Sequence, residues 1–238
     1  MSFSEHNHNG LIFDTSDVLS AVPGAVHAFT TRHGGVSPAP FDSLNFADNR
    51  GDRSENLLEN YRLLGEAVGI DASRAVGCRQ IHSDLVRVAC EEDAGKILWN
   101  DRPYDADGLI TNVPNLPLFA YGSDCCVITL YDPTSRSIGA VHAGWRGTAA
   151  GIALKAAVSM MSCYGADPYT LRAAIGPSIG KCCFETDRDV ADAFFALLDP
   201  AMDERIEQRG DKFHIDLKEI NRLWLLRAGI DPARIDVH

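Results

Sequence analysis

The segment from Cys125 to Gly147 constrains the fold most. Cys126-Val127-Ile128-Thr129-Leu130 is an apolar, β-branched run that fits a buried strand. Asp132-Pro133 supplies a turn, and residues 137–141 read as the returning strand. Gly144 and Gly147 then let the backbone bend sharply into an Ala-rich helix. Asp124 and Cys125 enter the first strand and His142 leaves the second, so an antiparallel hairpin brings them together. A thiol and an imidazole there suit one metal ion or a nucleophile–base pair. The plain alternative is a buried Cys beside a hydrogen-bonded core His.

Around this hairpin, strand runs alternate with amphipathic segments. The spacing predicts helices near 54–68, 148–163, 187–198 and 216–228. It predicts strands near 26–31, 75–79, 85–89, 109–111, 118–121, 171–175, 212–215 and 235–237. Residues 75–142 are dense in strand signals and hold no convincing helix. The expectation is therefore one α/β (α+β) domain with mixed sheets flanked by helices, not an alternating βα array. Residues 1–10 read as disordered and 11–238 as the domain. No strand leads into a GxGxxG or Walker signature.

The net charge of −11 argues against a nucleic-acid partner, which would need a basic face. It leaves room for a small phosphate-bearing substrate held by local cations. Arg32-His33-Gly34-Gly35 at a strand end fits an anion near backbone N–H groups, or a charged surface turn. Arg146 and Lys181 are further cations in glycine-bordered stretches, with salt bridges as the simpler role. His82 falls at a corner between strands, where a structural role competes with ligation. The seven cysteines include two adjacent pairs, Cys125-Cys126 and Cys182-Cys183. That is a poor disulfide framework and suits a reducing, cytoplasmic setting. The N-terminus lacks a secretory pattern, and no apolar run is long enough for a bilayer, so no membrane partner is expected.

Several stretches together resemble one known family. They include Thr31-Arg32-His33-Gly34-Gly35, Ser43-Leu44-Asn45, Gln80-Ile81-His82, Asp105-Ala106-Asp107-Gly108 and Ser123-Asp124-Cys125. They also include His142-Ala143-Gly144-Trp145-Arg146-Gly147, Ile175-Gly176-Pro177-Ser178-Ile179-Gly180 and Cys182-Cys183-Phe184-Glu185. This set resembles the laccase-domain family, also called multicopper polyphenol oxidase or YfiH-like, and now usually described as purine nucleoside phosphorylases. The resemblance implies a YfiH-like fold, similar to that of certain Cys–His hydrolases. It implies His82, Cys125 and His142 as metal ligands, with Cys125 preferred to Cys126. Two imidazoles and a thiolate with an open fourth position are the pattern of catalytic zinc. Copper is the disfavoured alternative, because no methionine neighbours a ligand and few histidines remain for a multinuclear cluster.

The resemblance also implies an activity. Family members cleave adenosine, inosine and methylthioadenosine with phosphate, and deaminate adenosine. Arg32, His33, Asn45 and Lys181 are the implied substrate- and phosphate-binding residues. Cys125, Asp124 and Arg146 are the implied catalytic residues, with Asp124 as a proton carrier in deamination. The competing reading is a metal-free Cys–His hydrolase or amidase, with Cys125 as nucleophile, His142 as base and His82 an onlooker. Related chains usually carry a further stretch after the position of Val237, with a cysteine and an Arg-rich strand near the site.

Overall fold

In the computed structural model, which describes residues 3–238, the chain opens with a hairpin. β1 (Phe3–His8) pairs antiparallel with β2 (Leu11–Ser16) across Asn9 and Gly10, both at positive φ. Asn-Gly is a favoured two-residue hairpin turn because its backbone twist matches that of the strands. The expectation of disorder over residues 1–10 is thus corrected, because a polar composition concealed a turn signal. Met1 and Ser2 lie outside the described residues.

α1 (Asp17–Ser20) and β3 (Phe29–Thr30) follow, and β3 joins β2 to complete a three-stranded sheet. α2 (Ser54–Val68) has the expected bounds, buries Leu57, Tyr61 and Leu64, and stops at the left-handed Gly69. Next come β4 (Val86–Val88), β5 (Gly108–Thr111), β6 (Cys126–Asp132) and β7 (Ser137–Ala143). α3 (Trp145–Ala149), α4 (Ile152–Tyr164), β8 (Arg172–Ile175), β9 (Glu185–Thr186) and α5 (Arg188–Phe195) continue the chain. α6 (Pro200–Asp203), β10 (Ile206–Arg209), β11 (Lys212–Ile215), α7 (Leu217–Arg227) and β12 (Ile235–Val237) complete it.

The main sheet has six strands in the order β12-β8-β6-β7-β5-β4. Its outer pairs, β12 with β8 and β4 with β5, are parallel, and the inner pairs are antiparallel. This is the mixed sheet expected from the strand-rich middle of the chain. Alternation sorts the residues of β6. Cys126, Ile128 and Leu130 pack with Ile152, Ala156 and Met160 of α4 and with Ile220 and Leu225 of α7. Val127 and Tyr131 point the other way and pack with Leu19 and Phe29. No helix among the described residues is long and apolar enough to cross a membrane.

Three local expectations change. The helix expected over 148–163 is two helices, because Gly151 takes φ +75° between them, with Trp224 in contact distance of any Cβ there. The strands expected at 75–79 and 118–121 survive only as single bridges, Val76 to Leu118 and Arg79 to Asp105. The strand expected over 26–31 is confined to Phe29–Thr30.

The turn of the central hairpin is fixed by Asp132. Its buried carboxylate accepts from the Ser135 N–H (2.8 Å), the Ser135 hydroxyl (2.7 Å) and the Thr170 hydroxyl. Burial raises the Asp132 carboxyl, but these donors outweigh it and hold the group below its ordinary value. A depressed carboxyl stabilises the fold above its unfolded pKa and loses that contribution as pH falls through the folded value. Asp132→Asn should cost about 1–2 kcal/mol at pH 7. The difference from the parent should shrink at pH 3. Urea unfolding at the two pH values checks this, and an equal difference at both would remove the linkage.

Candidate metal centre

His82, Cys125 and His142 converge at the end of the central hairpin, with one ligand atom of each within 4.8 Å of the other two. Each arrives by a different route. Cys125 immediately precedes β6, and the register pairs Cys126 with Ala143 and Val127 with His142. His82 lies in the corner before β4, at φ 59°. A non-glycine residue in this region is uncommon and needs local support.

Asp107 supplies that support. Its side chain is buried and lies just before β5. One carboxylate oxygen accepts from the His82 N–H (3.0 Å) and the His142 Nδ1 (2.8 Å). The other accepts from the N–H groups of Ile81 (3.2 Å) and Ser83 (2.6 Å) and from the Ser83 hydroxyl (2.7 Å). The Asp107 carbonyl also receives the His142 N–H at 2.7 Å. Burial alone would raise this carboxyl, yet His142 and Ser83 hold it below its ordinary value. With Nδ1 committed to Asp107, Nε2 is the His142 nitrogen left for a ligand. Burial alone would lower the His142 pKa, but Asp107 and the Cys125 sulfur raise it to about 9.

The donor set fits a metal ion. Two imidazoles and a sulfur match the ligand types of zinc, and an oriented His with a carboxylate behind it is the usual outer-shell arrangement. Gly144 adds a steric argument. A Cβ there would lie 3.1 Å from His82 Cδ2, 3.3 Å from Cys125 Sγ and 3.5 Å from His142 Cε1. The glycine keeps the space among the three side chains free. Cys126 points into the core, its thiol pushed up to about 11 by burial and its Sγ 3.3 Å from Ser178 Oγ. It is not part of the triad.

A cleft of about 1120 Å³ extends from the triad. His82, Cys125, His142, Arg32 and Asn45 line it. Asn45 is tied down, its amide donating to Asp52 (2.9 Å) and its oxygen receiving the Ala47 N–H (2.9 Å). Arg32 pairs with Asp42 at 3.4 Å across two exposed side chains. The other expected residues are not among those lining the cleft. Arg146 is exposed and stacks over Trp145, 4.2 Å from the ring centre. Lys181 faces Glu207 at 3.7 Å. His33 is exposed, with its N–H on the Thr31 hydroxyl. Asp124 is exposed, and its carbonyl receives the Ile179 N–H.

Three contributors escaped the sequence reading of roles. Asp107 stood in the Asp-x-Asp-Gly stretch before a strand, a signal without an assigned function. The Gln80 side chain clamps the Tyr121 backbone, its Nε2 donating to the Tyr121 carbonyl and its Oε1 accepting the Tyr121 N–H, both at 2.7 Å, and so fixes the His82 corner against the loop leading to Cys125. Arg50 lines the cleft as a further cation.

Residues 26–238 match the family model described as multi-copper polyphenol oxidoreductase laccase. A Geobacillus stearothermophilus protein named purine nucleoside phosphorylase YlmD is 35% identical over 217 residues, covering 90% of this chain and 79% of that protein. A Deinococcus radiodurans protein named purine nucleoside phosphorylase is 36% identical over 210 residues, covering 88% and 76%. The crystal structure of YlmD from Geobacillus stearothermophilus superposes with a TM-score of 0.90 at 32% identity, covering 99% of this chain and 87% of that one.

Asp107→Ala should weaken binding of added zinc by about 10–100-fold, because both histidines lose their anchor. Competition with a chromophoric chelator measures this, with circular dichroism as the folding control. Unchanged affinity would remove the orienting role of Asp107.

Proposed function

We propose that this chain, which belongs to the multi-copper polyphenol oxidoreductase laccase family, is a zinc-dependent purine nucleoside phosphorylase. The observation that carries this reading is the convergence of His82, Cys125 and His142 at one end of a cleft of about 1120 Å³. That volume lies above the roughly 300–1,000 Å³ of most small-ligand pockets and leaves room for a nucleoside with phosphate. The names of the relatives support the choice of reaction. Adenosine, inosine and methylthioadenosine are the proposed substrates, with adenosine deamination as a second reaction of the same site.

Zinc at the three side chains would supply Lewis acidity, polarising a nearby oxygen or nitrogen. The chain's own residues do the rest. Asp107 holds His142 in one tautomer and fixes the corner that carries His82. Arg32 spends only Nε and one terminal nitrogen on Asp42, which leaves donors for phosphate. Arg50 adds positive charge to the same cleft. Val127 and Phe119 offer apolar wall for the base. Asn45 shapes the rim through Asp52 and Ala47. Asp124, Arg146, His33 and Lys181 are given no step.

Copper oxidation of phenols has less support. Met160 and Met202 are buried in the main core and Met161 packs against it, so none offers an axial ligand. Among the described residues, one group of three converges as a multinuclear cluster would require of several. A metal-free Cys–His hydrolase remains the second reading, for a specific reason. Asp107, His142 and Cys125 form a carboxylate–imidazole–thiol series of the kind that activates a nucleophile.

Cys125→Ala should abolish phosphate-dependent release of base from adenosine and inosine. Cys126→Ala should spare it and cost about 1 kcal/mol of stability. Assays with and without phosphate, following ribose 1-phosphate and free base, read this directly. Free ribose in place of ribose 1-phosphate would indicate hydrolysis. Turnover of amides by fully demetallated protein, with no nucleoside turnover by the zinc-loaded form, would select the hydrolase.

A further inference from the structure

Away from the metal centre, Cys182 and Cys183 form an adjacent, exposed pair of free thiols with their sulfurs 3.2 Å apart. They occupy the tight turn between β8 and β9, where the N–H groups of Cys183 and Phe184 both reach the Gly180 carbonyl at 3.0 Å. The turn presents both side chains to solvent. We propose that Cys182 and Cys183 are a reversible oxidation site, closed to a vicinal disulfide by hydroperoxides.

The surroundings distinguish the two sulfurs. The positive charge of Arg209 interacts with Cys182, and Lys181 precedes it in sequence. The thiolate is the reactive form of a cysteine, and the first attack is assigned to the sulfur beside these two cations. Cys182 therefore attacks. Its thiolate attacks the terminal oxygen of the peroxide, an S–O bond forms as the O–O bond breaks, and the other oxygen leaves and is protonated to water or alcohol, giving a sulfenic acid. The Cys183 sulfur then attacks that sulfenic sulfur. The S–S bond forms, the S–O bond breaks, and the oxygen leaves as water with the thiol proton. Two thiols and one hydroperoxide become one disulfide, one water and one further water or alcohol. A nearby resolving thiol is what keeps such a sulfenic acid from further oxidation.

Adjacency makes the bond labile. Consecutive Cα atoms lie about 3.8 Å apart, below the usual disulfide range of about 4.4–6.8 Å. A strained, exposed disulfide is easily reduced, which suits a reversible mark over a permanent staple. The turn is also tied to the metal centre's strand. Ile179 donates its N–H to the Asp124 carbonyl at 2.9 Å, one residue from Cys125. Ser178 Oγ lies 3.3 Å from Cys126 Sγ. The loop whose end would close on oxidation is thus the loop that holds the entry to β6.

The test is differential alkylation and peptide mass spectrometry of the full chain, before and after hydrogen peroxide and again after dithiothreitol. The expected result is a peptide carrying Cys182 and Cys183 that loses two hydrogens, resists alkylation, and recovers on reduction. Cys163, an exposed cysteine with no adjacent cysteine, is the internal comparison. Cys183→Ser should leave a sulfenic acid on Cys182 that dimedone captures, and Cys182→Ser should not yield one on Cys183 at the same rate. Full alkylation of both thiols after peroxide, or their pairing with Cys163 of another copy, would overturn the proposal. Equal dimedone capture in the two variants would overturn the assignment of Cys182 as attacker.

Discussion

The site depends on one buried carboxylate. Asp107 gathers three consecutive backbone N–H groups, a hydroxyl and an imidazole. Burying a charge without such partners would be prohibitive, and with them the group becomes an organising centre. Its position explains why it can serve both histidines. β5 lies between β4 and β7 in the main sheet. The residue just before β5 therefore lies between the corner that precedes β4 and the end of β7 that carries His142. Sheet order has already delivered the two histidines to the carboxylate before any side chain is chosen.

His82 shows what this arrangement costs. Its φ of 59° is a backbone region that L-residues enter at a penalty of about 1–3 kcal/mol. Three N–H groups pointing at one anion offset that penalty and hold the corner in shape. The corner is thus a small anion-binding nest whose anion belongs to the protein. Its product is an exposed imidazole held within reach of Cys125 and His142. Exposure on the His82 side and burial on the His142 side leave the centre open in one direction, toward the cleft.

The strands and helices were largely legible where one periodicity dominates. α2, β11 and β12 begin and end where the pattern places them. The central hairpin was legible because Asp132-Pro133 separates two runs of strand type. The misses share a physical cause, namely conformations set by single residues. Asn9-Gly10 builds a hairpin from polar residues, and Gly151 breaks a helix whose side-chain pattern runs on. The convergence of His82, Cys125 and His142 was legible mainly through the resemblance to a family, since separations such as 82 to 125 encode no local geometry. Asp107 was missed as an organiser because its partners are mostly backbone amides, which leave no trace in side-chain pattern. The cations Arg146 and Lys181 are read as anion ligands from their neighbours in sequence; the fold stacks Arg146 over Trp145 and sets Lys181 opposite Glu207.

The adjacent cysteines at the start of β6 show how strand geometry separates chemistry from packing. Both are thiols on one short stretch, and composition alone cannot rank them. The pleat sends Cys126 toward α4 and α7, where burial raises its thiol to about 11 and makes it a small core residue. Cys125 takes the opposite side, with the two histidines and the cleft. A register slip of one residue in β6 would exchange them and carry Cys125 to the face away from His142. What prevents the slip is the pairing of β6 with strands on both sides. Cys126 faces Ala143 of β7, and Ile128 faces both Val141 of β7 and Ile175 of β8. The apolar face of β6 is fully committed to the helices, so a slip would bury Thr129 in place of Ile128. Which cysteine joins the two histidines is therefore fixed by the core on the far side of the sheet.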